Sequence, residues 1–361
     1  MQSTGTKRER DDESASSLAL PSILTTHHKR QHPAWTERTV LLPGWYEAFE
    51  RANHSHLHSL WWALRLFRES RKYDAVVTGA EHCGMIFAIL QTLLRPAARR
   101  RVHVMIDFPW AARPGRLMLA LKALQMRIAA PSLDVIFAHA SPEEAERFTS
   151  ALRVRKGLFR FVPFHYWLEE PLPETKCGDY IFSGGNTGRD YATLIEALTG
   201  SDHRAVICTQ ASGGLRNIRI PENVQVTGVS QDRFHELMAG SAVVAVPLMK
   251  DDIHPAGHTV VVTAMALGKP IILAAPAEYR SYIDDGRTGL LTPAEDSAGL
   301  RAAIDRVLSD REFSAMLSRN ARSEATHYTP EKFFKRVYDC VDCAVAEKRK
   351  ARQSSARSGS Q

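Results

Sequence analysis

Two stretches of this chain hold residues suited to gripping an anion. The apolar run AVVAVP (242–247) leads, after a loop, to Gly257-His258-Thr259 and an apolar helical stretch to Leu267, which Gly268-Lys269-Pro270 closes. A helix starting at Gly257 turns unpaired N–H groups and the positive end of its dipole toward that loop, which suits a phosphate. Gly and Pro just past its end are ordinary stop signals. The second stretch runs Ser183-Gly184-Gly185-Asn186-Thr187-Gly188-Arg189-Asp190-Tyr191. Glycines let a backbone approach a ligand closely, and an arginine can bind two oxygens at once. The turn is not G-x-G-x-x-G, so a dinucleotide site is unsupported.

Proton-transfer chemistry has fewer candidates. Asp107 ends the run VHVMIDF, where a carboxylate can accept a proton from a hydroxyl; the alternative is an Asp that caps the loop before Pro109. Glu81 and His82 follow AVVTG (75–79) and form a second pair. Asp251 and His254 sit in the loop before Gly257, where Asp251-Asp252 reads equally well as solvated. His54, His56 and His58 offer three metal-type ligands, but a solvated face is the preferred reading. Cys340-x-x-Cys343 lacks a second pair to complete a four-ligand zinc site.

Alternating strands and helices must position these residues. RTVLLPG, AVVTG, VHVMIDF, DVIFAHA and FRFVPF read as strands of a first half. HSLWWALRLFRESRK, GMIFAILQTLLR, the stretch 115–130 and SPEEAERFTSAL read as its helices, the last with Ser141 as N-cap and Glu144 completing a capping box. The second half alternates DYIFSGG, RAVICTQ, VQVTG, AVVAVP, PIILAA and GLL with amphipathic helices. This pattern predicts an α/β protein with two Rossmann-like parallel sheets, covered on both faces, and a ligand cleft at the carboxyl ends of the strands. EEPLPETKC (169–177) reads as the linker. The expected division is a disordered tail 1–33, a first domain 34–168, the linker 169–177, a second domain 178–329, a C-terminal helix 330–346 and a disordered basic tail 347–361.

The chain has 361 residues, 44% hydrophobic and 24% charged, which suits two globular domains. It has no apolar run long enough for a transmembrane helix, and its N-terminus lacks the apolar core of a secretory signal. Five cysteines, an odd count, fit a reducing compartment, so a cytoplasmic location is expected. Net charge is +7, unevenly placed: residues 34–168 carry about +8 and residues 178–329 about −4. The stretch GRLMLALKALQMRIAA (115–130) is apolar nearly all round and, with Arg113 just before it, carries Arg116, Lys122 and Arg127. It can lie peripherally on an anionic membrane surface, or pack as a core helix with snorkelling bases. Nucleic acid is not expected as a partner.

The glycine turn, the helix ending AMALGKP and the segment DDGRTGLL together resemble the GT-B glycosyltransferases, specifically glycosyl transferases group 1. The resemblance is good over about 179–330 and weaker over 75–168. It implies a GT-B fold and transfer of a sugar, with retention, from a nucleotide diphosphate sugar to a glycan or lipid-linked acceptor, with no metal or other cofactor. The last helix in this family commonly crosses back to the first domain. Donor contacts implied here are Gly184, Gly185, Arg189, Gly228, Gly257, His258, Thr259 and Thr263. Arg189 takes the place of the family's Lys on the diphosphate. Asp107, Arg189 and His258 are the catalytic candidates, while Glu81, His82, Asp251 and His254 are possible sugar or acceptor contacts.

The sequence departs from the family at two places. A companion arginine in the glycine turn is replaced by Gly185 or Asn186. The paired glutamates are incomplete, since Thr263 stands where the second, ribose-holding Glu belongs. These losses support an alternative, a non-catalytic GT-B protein that binds a glycan or a partner enzyme.

Overall fold

The computed structural model describes residues 20–27, 32–45, 56–79, 82–108, 115–168, 175, 178–210, 215, 218–250, 257–276 and 280–358. Two parallel six-stranded sheets organise them. The first contains β1 (Ile23–Thr25), β2 (Thr39–Leu41), β3 (Ala75–Thr78), β4 (Val102–Met105), β5 (Val135–Ala138) and β6 (Phe159–Phe161), in the order β2-β1-β3-β4-β5-β6. The second contains β7 (Tyr180–Gly184), β8 (Arg204–Cys208), β9 (Val224–Thr227), β10 (Val243–Pro247), β11 (Ile271–Ala274) and β12 (Leu290–Thr292), in the order β12-β11-β10-β7-β8-β9. Strands β3, β4, β5, β10 and β11 are buried at every residue, as expected when helices cover both faces of a parallel sheet. This architecture is GT-B.

Helices in the first half are α1 (Pro33–Thr36), α2 (His56–Glu69), α3 (His82–Leu94), α4 (Arg116–Ala129) and α5 (Pro142–Leu152). Those that follow are α6 (Tyr191–Leu198), α7 (Gln231–Ala239), α8 (His258–Ala266), α9 (Ser297–Ser309), α10 (Arg311–Ala325) and α11 (Pro330–Ser358). Ser141 caps α5 by accepting from Glu144 N–H at 3.0 Å. The Glu144 carboxylate accepts from Ala140 N–H at 2.9 Å, one residue earlier than a standard capping box uses.

Two expectations about the tails fail. Residues 1–33 are not all tail: Ile23–Thr25 forms β1, paired to both β2 and β3 and fully buried. A three-residue strand beside a charged segment is too short to show periodicity. The basic segment from 347 does not end the helix either, since α11 runs to Ser358. Lys348 reaches Asp134 at 2.8 Å and Arg349 reaches Asp74 at 3.5 Å, both at the amino ends of first-sheet strands. Those carboxylates hold a charge run that would otherwise be solvated.

Helix α11 packs on α1 and β4. Phe333, Phe334, Val337 and Val341 share one core with Val77, Val104, Ile106 and Phe137. Arg38 clamps Asp342 through two bonds of 3.1 and 2.6 Å. The chain's last helix therefore belongs to the packing of the first sheet.

Candidate functional site

Strand order locates the site. β7 and β10 are neighbours in the middle of the second sheet, and the chain builds outward from them in opposite directions. At such a reversal the loops leaving the two strands diverge and open a crevice at their carboxyl ends. The loop after β7 is the glycine turn, and the segment after β10 leads to α8.

Backbone bonds fasten these two loops together. Asp190 N–H donates to Pro247 O at 3.1 Å and Met249 N–H to Gly188 O at 3.0 Å, with a bridge between Arg189 and Leu248. Gly185 has φ +123°, and a Cβ there would lie 2.6 Å from the Arg189 guanidinium. A side chain at Gly184 would lie 2.4 Å from the Phe234 ring. Both glycines are required by geometry.

Arg189 is only 6% exposed. Its Nε donates to Gly184 O at 3.0 Å and a terminal nitrogen to Thr187 O at 2.9 Å. Burial pushes its pKa down from the usual arginine range. The guanidinium thus braces the turn that carries it. Asn186 accepts from Thr209 Oγ1 at 3.1 Å and Gln210 N–H at 2.8 Å, tying the β7 loop to the β8 loop. Gly228, just after β9, sits beside Thr209 and Gln210 on the same rim.

Helix α8 begins at N-cap Gly257, which has no side chain to cap it. A Cβ at Gly257 would meet Leu248 at 3.0 Å, so glycine allows the helix to start against the β10 exit. His258 and Thr259 are partly exposed there, while Val260 to Ala266 are all buried. A small pocket at this point is lined by Leu248, Gly257, His258, Val261 and Tyr282 of the second half and by Ala140 of the first. The helix start therefore faces the exit of β5 across the cleft.

The first half contributes a histidine that the sequence reading passed over. His139 is buried, with Nδ1 2.7 Å from Val162 O and Nε2 2.5 Å from Ile106 O. Its ring centroid lies 5.6 Å from that of His258. Tyr282 joins the halves: its hydroxyl donates to His139 O and accepts from Phe164 N–H at 2.9 Å. Burial raises its pKa, so it stays a neutral donor. His139 stands two residues before the cap Ser141, and Tyr282 lies inside EYRSYIDDG, but neither spacing announces a contact between halves.

The other candidates are scattered. Asp107 is partly buried at the β4 exit, and its carboxylate accepts from Phe108 N–H at 2.7 Å, the loop-capping role. His82 is exposed at the start of α3. Thr263 is 2% exposed and does not line the pocket, which His258 and Val261 line instead. Glu81, Asp251 and His254 lie outside the described residues, as does His54. His58 accepts from the Trp62 indole N–H at 2.8 Å. Among the described residues no group of three His, Cys, Asp or Glu is placed to hold a metal ion. Cys340 is buried and Cys343 exposed, both free thiols.

Residues 210–324 match the family model described as glycosyl transferases group 1. A D-inositol 3-phosphate glycosyltransferase from Nocardioides sp. is 29% identical over 126 residues, 35% of this chain and 27% of that protein. One from Salinispora tropica is 28% identical over 118 residues, 33% of this chain and 24% of that protein. The matched part thus spans about a quarter of these curated relatives. Among solved structures, an Anabaena protein, Alr3699/HepE, in complex with UDP and glucose superposes with a TM-score of 0.61 at 15% identity, covering 92% of this chain and 99% of that one. A glycosyltransferase from Rickettsia africae superposes with a TM-score of 0.62 at 10% identity, covering 91% and 99%.

Proposed function

We propose, for a chain of GT-B fold whose residues 210–324 match the group 1 glycosyl transferases, that it moves a sugar from a nucleotide diphosphate sugar to a hydroxyl of a glycan or lipid-linked acceptor, with retention at the anomeric carbon. The observation that carries this reading is the start of α8 at Gly257, set beside the glycine turn at the reversal of the second sheet. In this reading the His258 and Thr259 N–H groups hold the donor diphosphate, and the helix dipole adds to the same field. As the sugar departs, negative charge builds on the diphosphate, and fixed amide dipoles stabilise it without reorganising. Arg189 acts by holding the turn at the required curvature and by adding positive charge behind it. Gly184, Gly185 and Gly228 keep that rim free of side chains. His258 can reach a phosphate or sugar hydroxyl from the helix start. No metal enters this reading. Asp107 is a weaker candidate for the acceptor's proton, because its carboxylate is held by Phe108 N–H.

The acceptor side falls to the first half. Leu117, Leu121 and Leu124 are exposed on α4, Leu117 to 76%, between Arg116, Lys122 and Arg127. An apolar stripe flanked by cations suits the surface of an anionic membrane. Among the described residues no helix is long and apolar enough to cross one. Peripheral docking there would bring a lipid-linked acceptor to the cleft.

Calorimetry with UDP, GDP and ADP, followed by an assay for donor hydrolysis, tests the enzymatic reading. Binding of one nucleotide with hydrolysis of its sugar conjugate is expected. A folded protein that binds none of the three would instead be a non-catalytic GT-B protein.

A further inference from the structure

We propose that the first half carries a second anion site, at the end of its sheet away from the cleft, which takes a compact phosphorylated anion. Arg71, Arg95, Arg99, Arg101 and Arg352 line a cavity of about 520 Å3 there, together with Phe67. Arg71 precedes β3, Arg95 to Arg101 lead into β4, and Arg352 comes from the last turns of α11. All lie at the amino ends of the strands, whereas the cleft lies at their carboxyl ends.

Arginines repel one another, so such a cluster is costly unless something negative sits among them. No carboxylate lines the cavity among the described residues. Three acids of the first half have partners of their own: Asp134 pairs with Lys348, Asp74 with Arg349, and Glu69 with Lys72 and Arg68, though Asp74 also acts on Arg101. The cost is visible at Arg95. Burial, with Arg101 and Arg71 close by, pushes its pKa down to about 10.

The cluster is also built. Arg95 donates to the Phe67 carbonyl, to Ser70 Oγ at 3.1 Å and to Gln91 Oε1 at 3.1 Å. Arg101 donates to Arg71 O at 2.6 Å, while its Nε is buried and has no hydrogen-bond partner among the described residues. A buried donor left unpaired is expensive, and an anion oxygen would satisfy it. Arg71 and Arg99 are exposed at the mouth and would close on the same anion. Planar forks of this kind match phosphate oxygens in pairs. A free phosphorylated metabolite and a lipid headgroup offer the same chemistry.

Inorganic pyrophosphate is the probe, titrated calorimetrically into the full chain, the Arg71→Ala/Arg99→Ala variant and the Arg71→Lys/Arg99→Lys variant. Both substituted side chains are exposed, so folding should be kept. The alanine variant should lose at least about tenfold in affinity and the lysine variant several-fold, because lysine keeps the charge and loses the fork. Nucleotide diphosphate binding should be equal in all three, which separates this site from the cleft; loss of the cleft reading leaves the pyrophosphate result intact. No pyrophosphate binding by the wild type, or equal binding by wild type and either variant, overturns the proposal. Phosphatidylcholine vesicles holding one-fifth phosphatidic acid then identify the source. Sedimentation that falls in the alanine variant and is competed by pyrophosphate assigns a headgroup. Sedimentation unchanged by the variant, with pyrophosphate binding retained, assigns a free phosphorylated compound.

Discussion

The two halves share one fold plan and differ in what they show to solvent. In the second half the site is made of backbone: glycines at the β7 exit, amides at the start of α8, and loops zipped by main-chain bonds. Its surface is closed, with Ile220 and Val226 the exposed large apolar residues described there. The first half is basic and exposes leucines on α2, α3 and α4. A site made of backbone tolerates little change in shape but much in side-chain chemistry. A surface made of long side chains tolerates the reverse.

The sharpest way to break this contrast is to add a side chain to the glycine turn. Gly185→Val places a branched residue at φ +123° and drives it into the Arg189 guanidinium. The cost should be at least about 3 kcal/mol, from backbone strain and overpacking together. Urea unfolding measures it, and nucleotide binding should vanish at temperatures where the variant is still folded. A variant as stable as wild type would mean that the turn is plastic, and the contrast between halves would fail.

Arg189→Ala asks the same question more gently. The arginine holds Gly184 O and Thr187 O, so its loss frees the turn and removes a charge. Nucleotide diphosphate affinity should fall by about 1.5–3 kcal/mol, the range for a charged hydrogen-bond partner. Calorimetry that finds UDP, GDP and ADP bound unchanged would place the donor elsewhere.

The first half should instead break with pH. His103 is fully buried, with Nε2 3.0 Å from Thr78 Oγ1, and burial pushes its pKa to about 3, with a smaller contribution from Lys348. The unfolded chain takes up this proton below about pH 6.5 and the folded chain does not until about pH 3. Stability from this group is therefore intact above pH 6.5 and is lost as pH falls through that window. The loss should reach about 2 kcal/mol at pH 5. Unfolding of His103→Gln between pH 7 and 5 should show a slope shallower by that amount; a slope equal to wild type would remove His103 as the cause.

What the sequence disclosed follows the same division. The glycine turn and the start of α8 were legible because glycine and proline mark turns directly, and because α8 is an apolar run with a clear start and stop. The role of Arg189 was only half legible. Its position at a helix start is a spacing, but its fold back onto Gly184 O is a rotamer, and no pattern encodes that. Thr263 lies in a helix buried at every residue from Val260 to Ala266, and residue counting does not tell which way its side chain faces. β1 was hidden by its length, and the end of α11 by its composition, since a basic run looks solvated until Asp134 and Asp74 are seen beneath it. The meeting of His139 with Tyr282 joins residues far apart in sequence and depends on how the halves close.

The smallest effect on stability should come from the exposed face of α4, where the effect on location should be large. Leu117, Leu121 and Leu124 have few partners in the fold, so replacing all three by serine should leave stability within about 0.5 kcal/mol of wild type. Burying the same three side chains in a membrane interface would instead contribute several kcal/mol, at about 25 cal/mol per Å2 of apolar surface. Wild-type protein should sediment with vesicles that contain an anionic lipid and be released by high salt, because the attraction of Arg116, Lys122 and Arg127 is screened beyond roughly 10 Å at 0.1 M. The triple variant should stay in the supernatant at every salt concentration while unfolding at the same urea midpoint. If it sediments like wild type, the leucines contribute nothing to membrane contact, and the cations of the first half act without them. If neither protein sediments at low salt, the exposed face of α4 is not a membrane surface, and the lipid-linked class of acceptor loses its support while the donor site of the second half stands untouched.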